Sequence, residues 1–156
     1  MWPYWAFPCF IVIASVLAME VVASLVHRFV MHGAGWSWHR SHHQKRARIL
    51  EKNDLYAIVF AAISVGLFAA GNLVTTLWWV GLGMVVYGML YALLHDVLVH
   101  QRVRVSRQPR SGYLKRLVQA HRLHHTVQGR EGAVSFGFLY APPVAKLVRQ
   151  LRDNRS

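Results

Sequence analysis

A chain of 156 residues has ordinary single-domain length, but 54% apolar and 15% charged residues with a formal net charge of +12 exclude an ordinary soluble domain. High apolar content with one-sided charge indicates a membrane protein whose basic residues gather on one face. A nucleic-acid binder shares the charge but needs no long uncharged runs, so no nucleic-acid partner is expected, and a single cysteine, Cys9, excludes an intramolecular disulfide framework.

Residues 2–26 form the first long apolar run, broken only by Glu20. About 20 residues cross a hydrocarbon core of about 30 Å, so this run suffices. Trp2, Tyr4 and Trp5 stand at its outer end, where aromatic rings favour the interface, and no Lys or Arg precedes it, so it reads as a retained span rather than a cleaved signal. An intramembrane carboxylate needs a partner. Glu20 lies seven residues before His27, nearly on the same side of a helix. Residues 27–54 are basic and polar. Two apolar runs follow, 55–70 and 73–94, separated by the turn signal Gly71-Asn72, and these predict a membrane hairpin.

After His95 the chain is basic again. Residues 113–128 have helical patterning, with Leu114, Leu117, Val118, His121, His124 and His125 on one face. Residues 133–148 are apolar but broken by Pro142-Pro143, and are expected to lie in the interface or re-enter. Three crossings put 27–54 and 95–156 on one side. Six of the 18 Lys and Arg fall in the first segment and twelve in the second, a positive-inside pattern. The expected fold is therefore an all-α integral membrane protein of one domain, 1–156. It has three transmembrane helices, a cytoplasmic histidine-rich helical cap and an interfacial or re-entrant C-terminal segment.

All ten histidines belong to four groups. His27 and His32 form H-x4-H, and His39, His42 and His43 form H-x-x-H-H; His95 with His100, then His121, His124 and His125, repeat the same grammar. Imidazole suits zinc, iron, copper and nickel. Residues three and four apart share a helical face. Five apart they diverge by about 140°, so each H-x4-H pair either straddles a cavity or has a helix end between its members. Ten ligands are too many for one ion, whereas two ions with four or five each use the set. Haem leaves most of the histidines idle, and the H-E-x-x-H of zinc proteases is absent. A histidine-relay transporter would spread its histidines through the membrane, yet the spans 55–94 carry no ionisable group besides tyrosines. Beside a bilayer the substrates are expected to be apolar. Their C–H bonds offer no leaving group and no acidic proton, so attack needs an oxidant made from O2 at a redox metal. Iron is the economical choice.

The four boxes resemble those of the membrane di-iron fatty acid hydroxylase superfamily. The flanking words are similar to bacterial β-carotene hydroxylases: Met19-Glu20, H-R-F-V-M-H-G at 27–33, W-S-W-H-R-S-H-H at 36–43, E-K-N-D-L-Y-A at 51–57, H-D-V-L-V-H-Q-R at 95–102, H-R-L-H-H at 121–125 and E-G-A-V-S-F-G-F-L-Y-A-P-P at 131–143. Val97 and Val103 depart from that pattern, standing in place of a glycine and an aromatic. The resemblance implies hydroxylation at carbon 3 of each β-ionone ring, giving β-cryptoxanthin and then zeaxanthin. It implies two irons per chain held by His27, His32, His39, His42, His43, His95, His100, His121, His124 and His125. O2 and electrons from a reduced ferredoxin-type donor complete the reaction, the carotenoid arrives from membrane lipid, and the setting is the bacterial inner membrane with the histidines facing the cytoplasm. Glu20 and Asp96 are candidates for orienting the imidazoles. Asn53 and Asp54 are candidates for the same role or for capping the hairpin's first helix. Tyr113 and Tyr140 are candidates for lining the substrate pocket. Rival activities are hydroxylation or desaturation of a fatty acid or sterol, and carotenoid ketolation.

Overall fold

The computed structural model describes residues 3–44 and 50–154, and every regular element among them is helical. Trp2, Lys45, Arg46, Arg48 and Arg155, which the sequence reading uses for the interface and the charge balance, lie outside the described residues. Helix α1 spans Ala6–Leu25 and runs straight on into a wider-wound segment, Val26–Ala34. Helix α4, Thr75–Tyr91, does the same into Ala92–Val99. The two stretches, of 29 and 25 residues, are long and apolar enough to cross a membrane, the first kinked near its end at Gly33, whose backbone is non-helical. Helix α3, Asp54–Ala70, is a shorter apolar helix of 17 residues.

Helix α4 packs against both α1 and α3. A Cβ at Gly83 would strike Ser15 and the Val12 carbonyl, so a glycine there lets the backbones of α1 and α4 approach closely. The outward faces keep Phe10, Ile13, Leu17, Val21, Ile58 and Val65 exposed. Helices so apolar on their outer surface match a lipid solvent.

Three short helices sit at one end of this frame: α2, Trp36–His43; α5, Gly112–His124; and α6, Val144–Asp153. Helix α5 stops four residues short of the expected Gln128. Its chain leaves the helix there, and the Val127 carbonyl accepts a hydrogen bond from His43 Nδ1 instead. The expected unit 133–148 is really two pieces. Residues 133–143 have no regular structure and form a strap, and α6 begins only after Pro143, where a proline suits a helix start. The strap is held inside the protein: Val134 and Ala141 pack with Leu117 and Ala120 of α5 and with Leu147 and Leu151 of α6. Phe138 packs with Met19, Ala23 and Tyr87 between α1 and α4.

Candidate metal centre

The wide segments resolve the H-x4-H spacing. Their backbone hydrogen bonds skip five residues, as in His100 N–H to the His95 carbonyl at 2.9 Å. Residues i and i+5 then stack much as i and i+4 do in an α-helix. His27 and His32 consequently point the same way, and so do His95 and His100. Between His27 and His32 the helix continues and changes pitch; in the second pair it ends at Val99, and His100 is the residue that caps it.

The ten imidazoles separate into two groups of five. One is His27, His32, His39, His43 and His124; the other is His42, His95, His100, His121 and His125. Within each group the potential ligand atoms lie within 4.8 Å of one another. The division cuts across the boxes. In each H-x-x-H-H the first and last histidines join one group and the middle one joins the other. Each half of the chain thus builds four-fifths of one cluster and lends one histidine to its counterpart.

In the first cluster every Nδ1 has an acceptor. His27 donates to the Phe136 carbonyl (2.9 Å), His32 to that of Arg130 (2.8 Å), His43 to that of Val127 (2.8 Å) and His124 to that of Val134 (2.9 Å), while His39 donates to Asn53 Oδ1 (2.7 Å). A carbonyl only accepts, so each Nδ1 must carry the proton and each Nε2 is a bare lone pair. Yet the Nε2 atoms converge, 27 on 39 at 3.1 Å, 32 on 124 at 3.1 Å, 43 on 39 at 3.0 Å and 124 on 43 at 3.2 Å. Lone pairs gathered at that distance without protons repel unless a cation lies between them. The chemistry of this donor set fits a metal ion. The 3.0–3.2 Å spacings suit nitrogens that would share one ion at the ~2.0–2.1 Å of an ordinary imidazole–zinc bond.

The second cluster has the same inward convergence: Nε2 of His42 and His95 are 2.9 Å apart, His100 and His121 3.3 Å, and His121 and His125 2.9 Å. Its supports are anionic. His42 Nδ1 donates to Glu51 (3.1 Å) and His95 Nδ1 to Asp96 (2.8 Å). Arg102 ties the acids together, 2.6 Å from Asp54, 3.4 Å from Asp96 and 3.7 Å from Glu51. Burial, reinforced by neighbouring imidazoles, holds His42, His121 and His124 neutral well below the usual histidine range. Burial also lowers His43 to about 4, His39 to about 3 and His125 to about 2. Neutral imidazole is the form that ligates, so no proton need be displaced at pH 7.

The remaining expected residues divide. Asp96 and Asn53 each hold an imidazole. Asn53 makes no side-chain cap on α3, because its oxygen is occupied by His39. Asp54 accepts from the Glu51 backbone N–H and from Arg102. Glu20 hydrogen-bonds no imidazole among the described residues. It accepts from the N–H groups of Phe138 and Tyr140 (3.0 Å each) and from the Tyr87 hydroxyl (2.9 Å), pinning the strap whose carbonyls hold His27 and His124. A Cβ at Gly137 would collide with that carboxylate. Tyr113 and Tyr140 are exposed and line no part of the apolar cavity near the centre.

That cavity, about 380 Å³, lies among α1, α3 and α4 and is lined by Met19, Ala23, Phe60, Met84, Tyr91 and Phe138. Tyr91 and Phe138 form its inner wall. Tyr91 stacks on His95 with centroids 4.5 Å apart and brings its hydroxyl to 3.5 Å from His95 Nε2; Phe138 stacks on His27 at 5.4 Å.

Two imidazole clusters capped on apolar helices define a class before a particular protein, and a model of the fatty acid hydroxylase family matches residues 12–142. Among curated relatives, Beta-carotene hydroxylase of Pantoea ananas is 54% identical over 152 residues, covering 96% of this chain and 86% of that protein. Beta-carotene hydroxylase of a Paracoccus species is 57% identical over 144 residues, 91% of this chain and 89% of the relative. Beta-carotene 3-hydroxylase 1, chloroplastic, of Arabidopsis thaliana is 36% identical over 135 residues, 83% of this chain and 43% of the relative. The chain belongs to the fatty acid hydroxylase family and, within it, to the beta-carotene hydroxylases. No solved structure matches it.

Proposed function

We propose that this chain is a non-haem di-iron monooxygenase that hydroxylates carbon 3 of the β-ionone rings of β-carotene, giving β-cryptoxanthin and then zeaxanthin. The observation that carries the reading is the pair of five-imidazole clusters beside an apolar cavity whose lining residues Tyr91 and Phe138 stack on cluster histidines. Iron bound there supplies the activation of O2. In the net reaction one oxygen atom enters the C–H bond and the other leaves as water, with two electrons from a ferredoxin-type donor and two protons. His27, His32, His39, His43 and His124 would hold one ion, and His42, His95, His100, His121 and His125 the other. Hydrogen bonds from Nδ1 fix the tautomer and aim of seven of the ten rings before any ion arrives.

The cavity is of ligand-pocket size, ~300–1,000 Å³. A forty-carbon carotenoid is far larger, so one ring end enters while the polyene stays among lipid tails. Tyr91 and Phe138 then set the ring against the cluster face and keep water from it. The reading includes three crossings, with α3 as the short one, in a single domain 1–156. The histidines lie at the cytoplasmic side of the bacterial inner membrane, where the basic surface steers an acidic electron donor.

Expression in cells that accumulate β-carotene tests the assignment. Zeaxanthin, with β-cryptoxanthin on the way, is the expected pigment. Ketocarotenoids or unchanged β-carotene would overturn it.

A further inference from the structure

The two clusters differ in what stands behind their ligands. In the first, all five Nδ1 protons go to neutral acceptors, four main-chain carbonyls and the Asn53 amide oxygen. In the second, His42 and His95 donate to the carboxylates of Glu51 and Asp96, which Arg102 bridges together with Asp54. A carboxylate draws the Nδ1 proton towards itself and makes Nε2 a stronger donor to a cation. It also brings negative charge one ring away from the ion, which a carbonyl dipole supplies only in part. The clusters differ in access as well. His27, His39 and His124 are at most 2% exposed, whereas His100 and His125 are half-buried and line an open cleft with Arg122 and Gln128.

We infer that the two metal positions are inequivalent, and that Glu51 and Asp96 act as positioning residues that make the His42/His95/His100/His121/His125 position the tighter site for a divalent cation. This rests on the histidines being metal ligands at all. Removing an outer partner of a metal-bound histidine typically costs 10–100-fold in affinity. The carboxylate-backed site therefore fills first, and the carbonyl-backed site fills as a separate, weaker step.

The test is a titration of metal-free, full-length protein in detergent with cobalt(II), followed by its visible absorption. Two resolved steps of one ion each are expected. Glu51→Gln and Asp96→Asn should each weaken the tighter step by about 10–100-fold and leave the weaker step in place. Asn53→Asp, which puts a carboxylate behind His39, should tighten the weaker step; this gain of affinity cannot arise from misfolding. One step taking up two equivalent ions would overturn the inference. So would a loss in both steps on Glu51→Gln, or a weaker step that Asn53→Asp leaves unmoved. Failure to bind cobalt at all would instead overturn the metal-centre reading beneath it.

Discussion

Every imidazole in the first cluster has one nitrogen committed to an acceptor-only group, and that commitment decides the other nitrogen's chemistry. The acceptors at Val127, Arg130, Val134 and Phe136 are main-chain carbonyls, which no side-chain pattern advertises; their role was not legible in the sequence. Glu51 was legible in principle. It is one of only six acids in the chain and lies eight residues beyond the second histidine box, so a buried ring seeking an anionic partner pointed to it. The depressed histidines also make a pH prediction. Above about pH 7.5, a unit over the ordinary value, they are neutral in both folded and unfolded chains and contribute almost no pH dependence. As pH falls below that value the unfolded chain takes up protons that His43 and His39 refuse until about 4 and about 3. Metal-free protein should therefore lose thermal stability steadily from about pH 7.5 downwards and be nearly flat above it. A melting temperature that rises on acidification would contradict this.

At the scale of elements, the long helices were readable as apolar runs because lipid-facing and packed surfaces both demand apolar side chains. The change of pitch at Val26 and Ala92 was not, since hydropathy does not register whether a turn closes after four residues or five. The repeated H-x4-H was the one trace of it. The division of 133–148 into a strap and α6 was hidden for a related reason. An apolar stretch broken by two prolines does not show in sequence which of its side chains pack on its own protein, as Val134, Phe138 and Ala141 do. Glu20 fastens that strap from within α1. Replacing it by alanine leaves the Phe138 N–H without its acceptor, at a cost of ~1–3 kcal/mol. Glu20→Ala should lower the melting temperature by about 2–4 °C per kcal/mol and loosen metal at the His27/His124 cluster. Glu20→Gln keeps an oxygen for the two N–H groups and should retain most of both. Equal loss in the two variants would show that charge, rather than the acceptor, matters there.

For the whole molecule, the exchange of middle histidines means that neither half of the chain completes a centre alone. Two ions would join α2 and the α1 extension to α5 and the α4 extension, so binding stabilises tertiary structure as any ligand of the native state does. The exchange separates sequence proximity from shared function. His39→Ala with His42→Ala removes neighbours in one box but damages both clusters; His39→Ala with His124→Ala removes distant residues but damages one. After mild chelation the first double variant should keep no metal and the second roughly one ion per chain. The opposite ranking would mean that each box serves a single centre.

The central claim is that ten imidazoles hold a pair of redox-active ions, and the metal content of an active preparation tests it most directly. Protein purified from cells that make zeaxanthin should carry roughly two irons per chain, with turnover rising in step with iron occupancy. An active preparation that contains zinc and no iron would contradict the account.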